Sequence, residues 1–116
     1  MRTWNLPEIE TPGGSRSPVV LDSDEAARAV LIGLDPGQEL GDHQVKESAF
    51  LVVLDGSVQI TSGSETLEAR HGSLVTFEPD ERRSVASADG ARILLLLAPW
   101  PGAGHYRAED KARSEA

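Results

Sequence analysis

Short apolar runs, broken by glycine, proline and aspartate, recur along the chain, and none carries a convincing helical period. That pattern predicts many short strands. Val19–Leu21 is a short one, and Ala27–Leu34 is apolar enough for a longer one. Gln38–Lys46 and Ala49–Leu54 follow, then Val58-Gln59-Ile60-Thr61, which alternates as a half-buried strand does. Thr66–Ala69, Leu74–Phe77, Arg83–Ala86 and Arg92–Ala98 complete the set. In Asp35-Pro36-Gly37-Gln38 the proline suits the second position of a turn, and the glycine can take a positive φ at the third. Asp55-Gly56 and Asp89-Gly90 predict hairpins. Ser62-Gly63-Ser64 and His71-Gly72 predict tight turns, and Pro79-Asp80-Glu81 a loop. Only Asp22–Ala27 has room for a helical turn.

Ala49–Leu54 and Ile93–Leu97 are apolar at every position. A strand with one wet face alternates, so these two need cover on both sides. One side faces a core. The other is met either by a second copy of the chain or by the N-terminal segment, with Trp4 and Leu6, folding back. The reading divides the chain into residues 1–26, packing on the barrel or on a partner subunit, a core over 27–98, and a tail over 99–116. Pro99-Trp100-Pro101-Gly102 admits no regular element.

Composition narrows the function classes. The 116 residues make one domain with a modest core. A net charge of −8 disfavours phosphate backbones and anionic lipid surfaces, so no nucleic-acid or membrane partner is expected. The absence of cysteine removes disulfides, thiol catalysis and thiolate metal sites. Met1–Glu8 has no apolar stretch of the secretory kind, and the expectation is a cytoplasmic protein.

The segment from Gly37 to Gly56 resembles the first motif of the cupin family: a glycine, a His-x-His pair, a glutamate and a closing glycine. Gly72-Ser73-Leu74-Val75-Thr76-Phe77-Glu78-Pro79-Asp80-Glu81-Arg82-Arg83 resembles the second, which ends on a histidine. The resemblance spans Ala27 to Ala98 and implies an all-β fold, a cupin-type jelly-roll β-barrel of two antiparallel sheets. Glycines and turns match the family pattern, but the ligand positions do not. Metal-binding cupins hold a divalent ion with three histidines and a glutamate. Here His43 occupies the first position, and Val45, Ala49 and Arg83 occupy the other three. Valine and alanine offer no lone pair, and arginine remains protonated and repels a cation. No metal and no other cofactor is therefore expected.

His43, Arg83 and Glu47 are the candidate ligand-binding residues. Alternation puts His43 and Val45 on one face, which the resemblance makes the inward one. His43 is then either a ligand-contacting, proton-carrying imidazole or a histidine hydrogen-bonded inside the pocket. Arg83 shares a face with Val85. A buried arginine needs either an acidic side chain, Glu47 or Glu39, or an anionic ligand. A slip of one residue would put Arg82 inside instead. Glu47 either partners His43 or Arg83 or is solvated. His71 sits in a turn, and His105 reaches the barrel only if the tail docks back, anchored by Trp100. The leading expectation is a metal-free homodimeric barrel that binds a small molecule, with anions among the candidates. The alternative is a cupin-type enzyme, such as an oxygenase or isomerase, using His43 with Arg83 or a non-standard metal site.

Overall fold

Alternation decides which side of each strand is buried. In Ala91–Ala98 the residues Ala91, Ile93, Leu95 and Leu97 are buried, and the residues between them are half-buried. The computed structural model describes residues 1–102, with Asp42 and His43 described by backbone alone. It contains β1 (Val19–Ser23), β2 (Arg28–Leu34), β3 (Glu39–His43), β4 (Ser48–Ser62), β5 (Glu65–Arg70), β6 (Leu74–Phe77), β7 (Arg83–Ala86) and β8 (Ala91–Ala98). Two short 3-10 turns, Leu6–Glu8 and Gly14–Arg16, precede them.

All pairings are antiparallel. One sheet runs β1-β2-β8-β4-β6, and the other runs β3-β7-β4-β5. The strand β4 belongs to both, its first half in one sheet and its second half in the other. Inward side chains of both sheets, among them Ile32, Leu51, Val53, Ile60, Phe77, Val85 and Ile93, form one core. The jelly-roll barrel expected from the sequence is therefore present.

Three local expectations are corrected. Asp55-Gly56 is not a hairpin: β4 runs through it, with a register shift between Val53 and Asp55. The glycine is needed there for a close approach, because a Cβ at Gly56 would lie 2.2 Å from the Gly90 carbonyl oxygen. Asp89-Gly90 turns the chain with a positive φ at Gly90, but β7 and β8 do not pair, so it passes between sheets. Asp22–Ala27 holds no helical turn. Instead β1 extends to Ser23, and the Asp24 carboxylate accepts the Ala26 and Ala27 N–H groups at 2.8 and 3.2 Å.

The outer face of the first sheet is covered in part. The N-terminal arm lies over part of it: the Arg92 guanidinium donates to the Leu6 carbonyl at 2.8 Å and also to that of Ile9. Gly33 leaves room for Thr11, whose hydroxyl would sit 2.2 Å from a Cβ there. Leu31 is fully buried although it alternates with the core residues Val30 and Ile32. Phe50 and Leu74, on the same face further along the sheet, stay exposed at 38% and 62%. No described helix is long and apolar enough to cross a membrane.

Candidate functional site

Arg83 opens β7, and Val85 lies two residues on. Both are buried, at 2% and 1% exposure, so the side chain enters the barrel as alternation requires. Arg82 is exposed, which removes the alternative register. The Arg83 guanidinium lies over the Phe77 ring, 4.8 Å from its centre. Its Nη1 donates to the Glu81 carbonyl at 3.5 Å, the outer limit of a hydrogen bond. The ion pairs among the described residues are Arg2–Asp22 and Lys46–Asp80, and neither involves Arg83. Loss of hydration pulls the Arg83 pKa below its ordinary value, while the charges of Glu81 and Glu47 oppose that pull.

The surroundings are held by backbone and carboxylate contacts. The Glu81 carboxylate accepts the Ser62 hydroxyl at 2.8 Å and the Glu78 N–H at 3.0 Å. The Ser62 bond, then the Glu78 bond and the charge of Arg83, hold its carboxyl below the usual range. The Asp80 N–H donates to the Val45 carbonyl at 2.7 Å, and Lys46 Nζ meets Asp80 Oδ1 at 2.7 Å. These contacts hold Asp80 at φ +66, a conformation rare for residues other than glycine.

The solvated alternative for Glu47 is overturned. Glu47 is fully buried, and its Oε2 accepts the Gly102 N–H at 2.7 Å. Glu39 is exposed and pairs with Ala86 at the other end of β3, so it is no partner for Arg83. His43 is the cross-strand partner of Arg83, which brings the two residues together on neighbouring strands. The His43 imidazole and all of His105 lie outside the described residues. His71 is exposed, beside Asp55, Gly56, Asp89 and Arg92, in an open cleft of about 670 Å³. The register places that cleft at the end of the strands opposite Arg83, and none of the three candidate residues lines it.

Three of the four residues at the metal positions implied by the sequence resemblance do not suit a divalent ion. Ala49 is fully buried in the core, Val45 packs against it, and Arg83 is a buried cation. Among the described residues no three His, Asp or Glu side chains are grouped as ligands.

Sequence reasoning missed Phe77, Glu81 and Gly102 as neighbours of the site. Phe77 was legible as the inward aromatic of β6. Glu81 stands three residues after Glu78, the spacing of a carboxylate that closes a turn. Gly102 gave no signal, because it lies 55 residues from Glu47 and offers only a backbone N–H.

No protein-family model matches the chain, and no curated protein does. Solved structures do. An RmlC-like cupin protein from Desulfovibrio desulfuricans superposes with a TM-score of 0.76 at 21% identity, over 85% of this chain and 97% of that one. TT1209 from Thermus thermophilus gives 0.74 at 23%, over 85% and 98%. KdgF from Halomonas sp. gives 0.67 at 14%, over 71% and 78%. With two antiparallel sheets joined through β4 and these likenesses, the chain has the fold of the cupins.

Proposed function

We propose that this barrel binds a small anionic molecule, a carboxylate being the simplest, at Arg83, without a metal. One observation carries the reading: a guanidinium 2% exposed, with one long hydrogen bond and no ion pair among the described residues. Burying a charge costs several kcal/mol even after relaxation. A cation–π contact returns about 0.5–2 kcal/mol. The more distant charges of Glu47 and Glu81 return part of the rest. A carboxylate able to accept two parallel guanidinium N–H bonds would supply what remains.

A thermal-shift screen of acetate, pyruvate, malonate and benzoate, with the matching amides as controls, tests it. Stabilisation by a carboxylate and not by its amide is expected, and it should vanish in Arg83→Met. No stabilisation by any carboxylate would refute the reading. Elemental analysis of untagged protein tests the metal-free part, which a stoichiometric transition metal would overturn.

One observation favours an enzymatic second reading. His43 and Arg83 are cross-strand partners, so a proton-carrying residue stands beside a charge-stabilising one. Under that reading His43→Ala would abolish turnover of a bound carboxylate and leave its affinity nearly unchanged.

We also propose that the exposed apolar part of the first sheet, around Phe50 and Leu74, packs on a second copy of the chain.

A further inference from the structure

After β8 the chain stays against the barrel, beside the residues that precede β4. Pro99 and Pro101 flank Trp100, whose ring lies over the Arg28 guanidinium at 4.6 Å and packs against the core. Gly102 is buried, and its N–H is the donor to Glu47 Oε2. Its fit leaves no slack. A Cβ there would stand 2.6 Å from the Lys46 carbonyl oxygen and 2.8 Å from its carbon, both backbone atoms that cannot swing aside.

The carboxylate that takes this bond is also within electrostatic reach of Arg83, whose charged form it favours. The neighbouring residues Val45 and Lys46 are clamped to Asp80, three residues before Arg83. Residues 99–102, 44–47 and 78–83 therefore meet at one end of the barrel. The β8 ladder ends at Ala98, so residues 99–102 are held there by contacts other than strand pairing.

We propose that residues 99–102 form a strap that shuts the Arg83 end of the barrel, with Glu47 as the post that holds it. The proposal relies on the anion reading only for what the strap guards. In it Glu47 is a positioning residue rather than a ligand contact. Release of Gly102 uncovers Trp100 and Arg83 together, so a molecule enters when the strap lifts and is enclosed when it returns.

The test uses the full chain carrying Trp4→Phe, which leaves Trp100 as the single tryptophan. Acrylamide quenching reads the strap, and phenylglyoxal labelling followed by peptide mapping reads Arg83. Adding Gly102→Ala should raise quenching about twofold and Arg83 labelling about tenfold or more, as local opening does. The exposed Arg16 and Arg70 should label at unchanged rates. Glu47→Gln retains an acceptor for Gly102 and should stay near the parent in quenching.

Unchanged quenching in Gly102→Ala would overturn the proposal. So would increased quenching with unchanged Arg83 labelling, which would mean that the strap guards something else. A uniform rise at Arg28, Arg83 and Arg92 with loss of the circular dichroism signal would also overturn it, because the segment would then hold the fold and not the entrance. Failure of acetate to slow Arg83 labelling in either protein would contradict the anion reading and leave the strap standing.

Discussion

Arg83 is a buried cation on which the proposed anion site rests. Phe77 and the Glu81 carbonyl touch the guanidinium, and neither is an anion. Its inward direction was legible from a single neighbour, Val85, through the period-2 rule. The burial of Glu47 was not legible, since its partner Gly102 lies 55 residues away and offers only a backbone N–H. Glu81 carries a separate consequence. Its carboxyl is held below the usual range, so the folded state favours the ionised form. That stabilisation is complete above the ordinary carboxylate pKa and is lost as pH falls through the lowered folded value. Ser62→Ala removes the largest cause of the shift and should cost about 0.5–1.5 kcal/mol at pH 7. Urea unfolding at pH 7 and pH 3 should show the penalty shrinking in acid. An equal penalty at both would rule out the Ser62–Glu81 bond as its origin.

Elements were more legible than their connections. Apolar runs marked the strands because burial imposes alternation or continuity on any sequence. Turn glycines in the sequence marked places where a glycine is needed, but not why it is needed. At Gly63, in the β4–β5 turn, the need is conformational: φ is +60 and nothing lies within 4 Å of a Cβ. At Gly56 the need is also steric, with the Gly90 carbonyl 2.2 Å from a Cβ. Gly63→Ala should therefore cost about 1–2 kcal/mol, the ordinary penalty for a left-handed residue. Gly56→Ala must also push β4 away from β8, and its cost should exceed that of Gly63→Ala. Urea midpoints compared at equal m-values rank the two. Equal penalties would mean that the β4–β8 contact at Gly90 yields freely.

At the scale of the whole molecule, two covers were offered for the continuous apolar strands, and the chain uses its N-terminal arm for part of the surface. The arm docks through Arg92 and over Gly33, and it leaves Phe50 and Leu74 uncovered. The proposed second copy would meet that remainder. Light scattering coupled to size exclusion should give a dimer mass for the native chain and a monomer mass for Phe50→Lys combined with Leu74→Lys. A native monomer at 100 µM would rule the dimer out. The proposed anion site lies at the Arg83 end, away from the open cleft and beneath the proposed strap. Isothermal titration of the strongest carboxylate from the screen, into the native chain and into Arg83→Met, measures that directly. Saturable one-site binding that weakens about tenfold or more in the variant is the expected result. Equal affinity in the two proteins would contradict it.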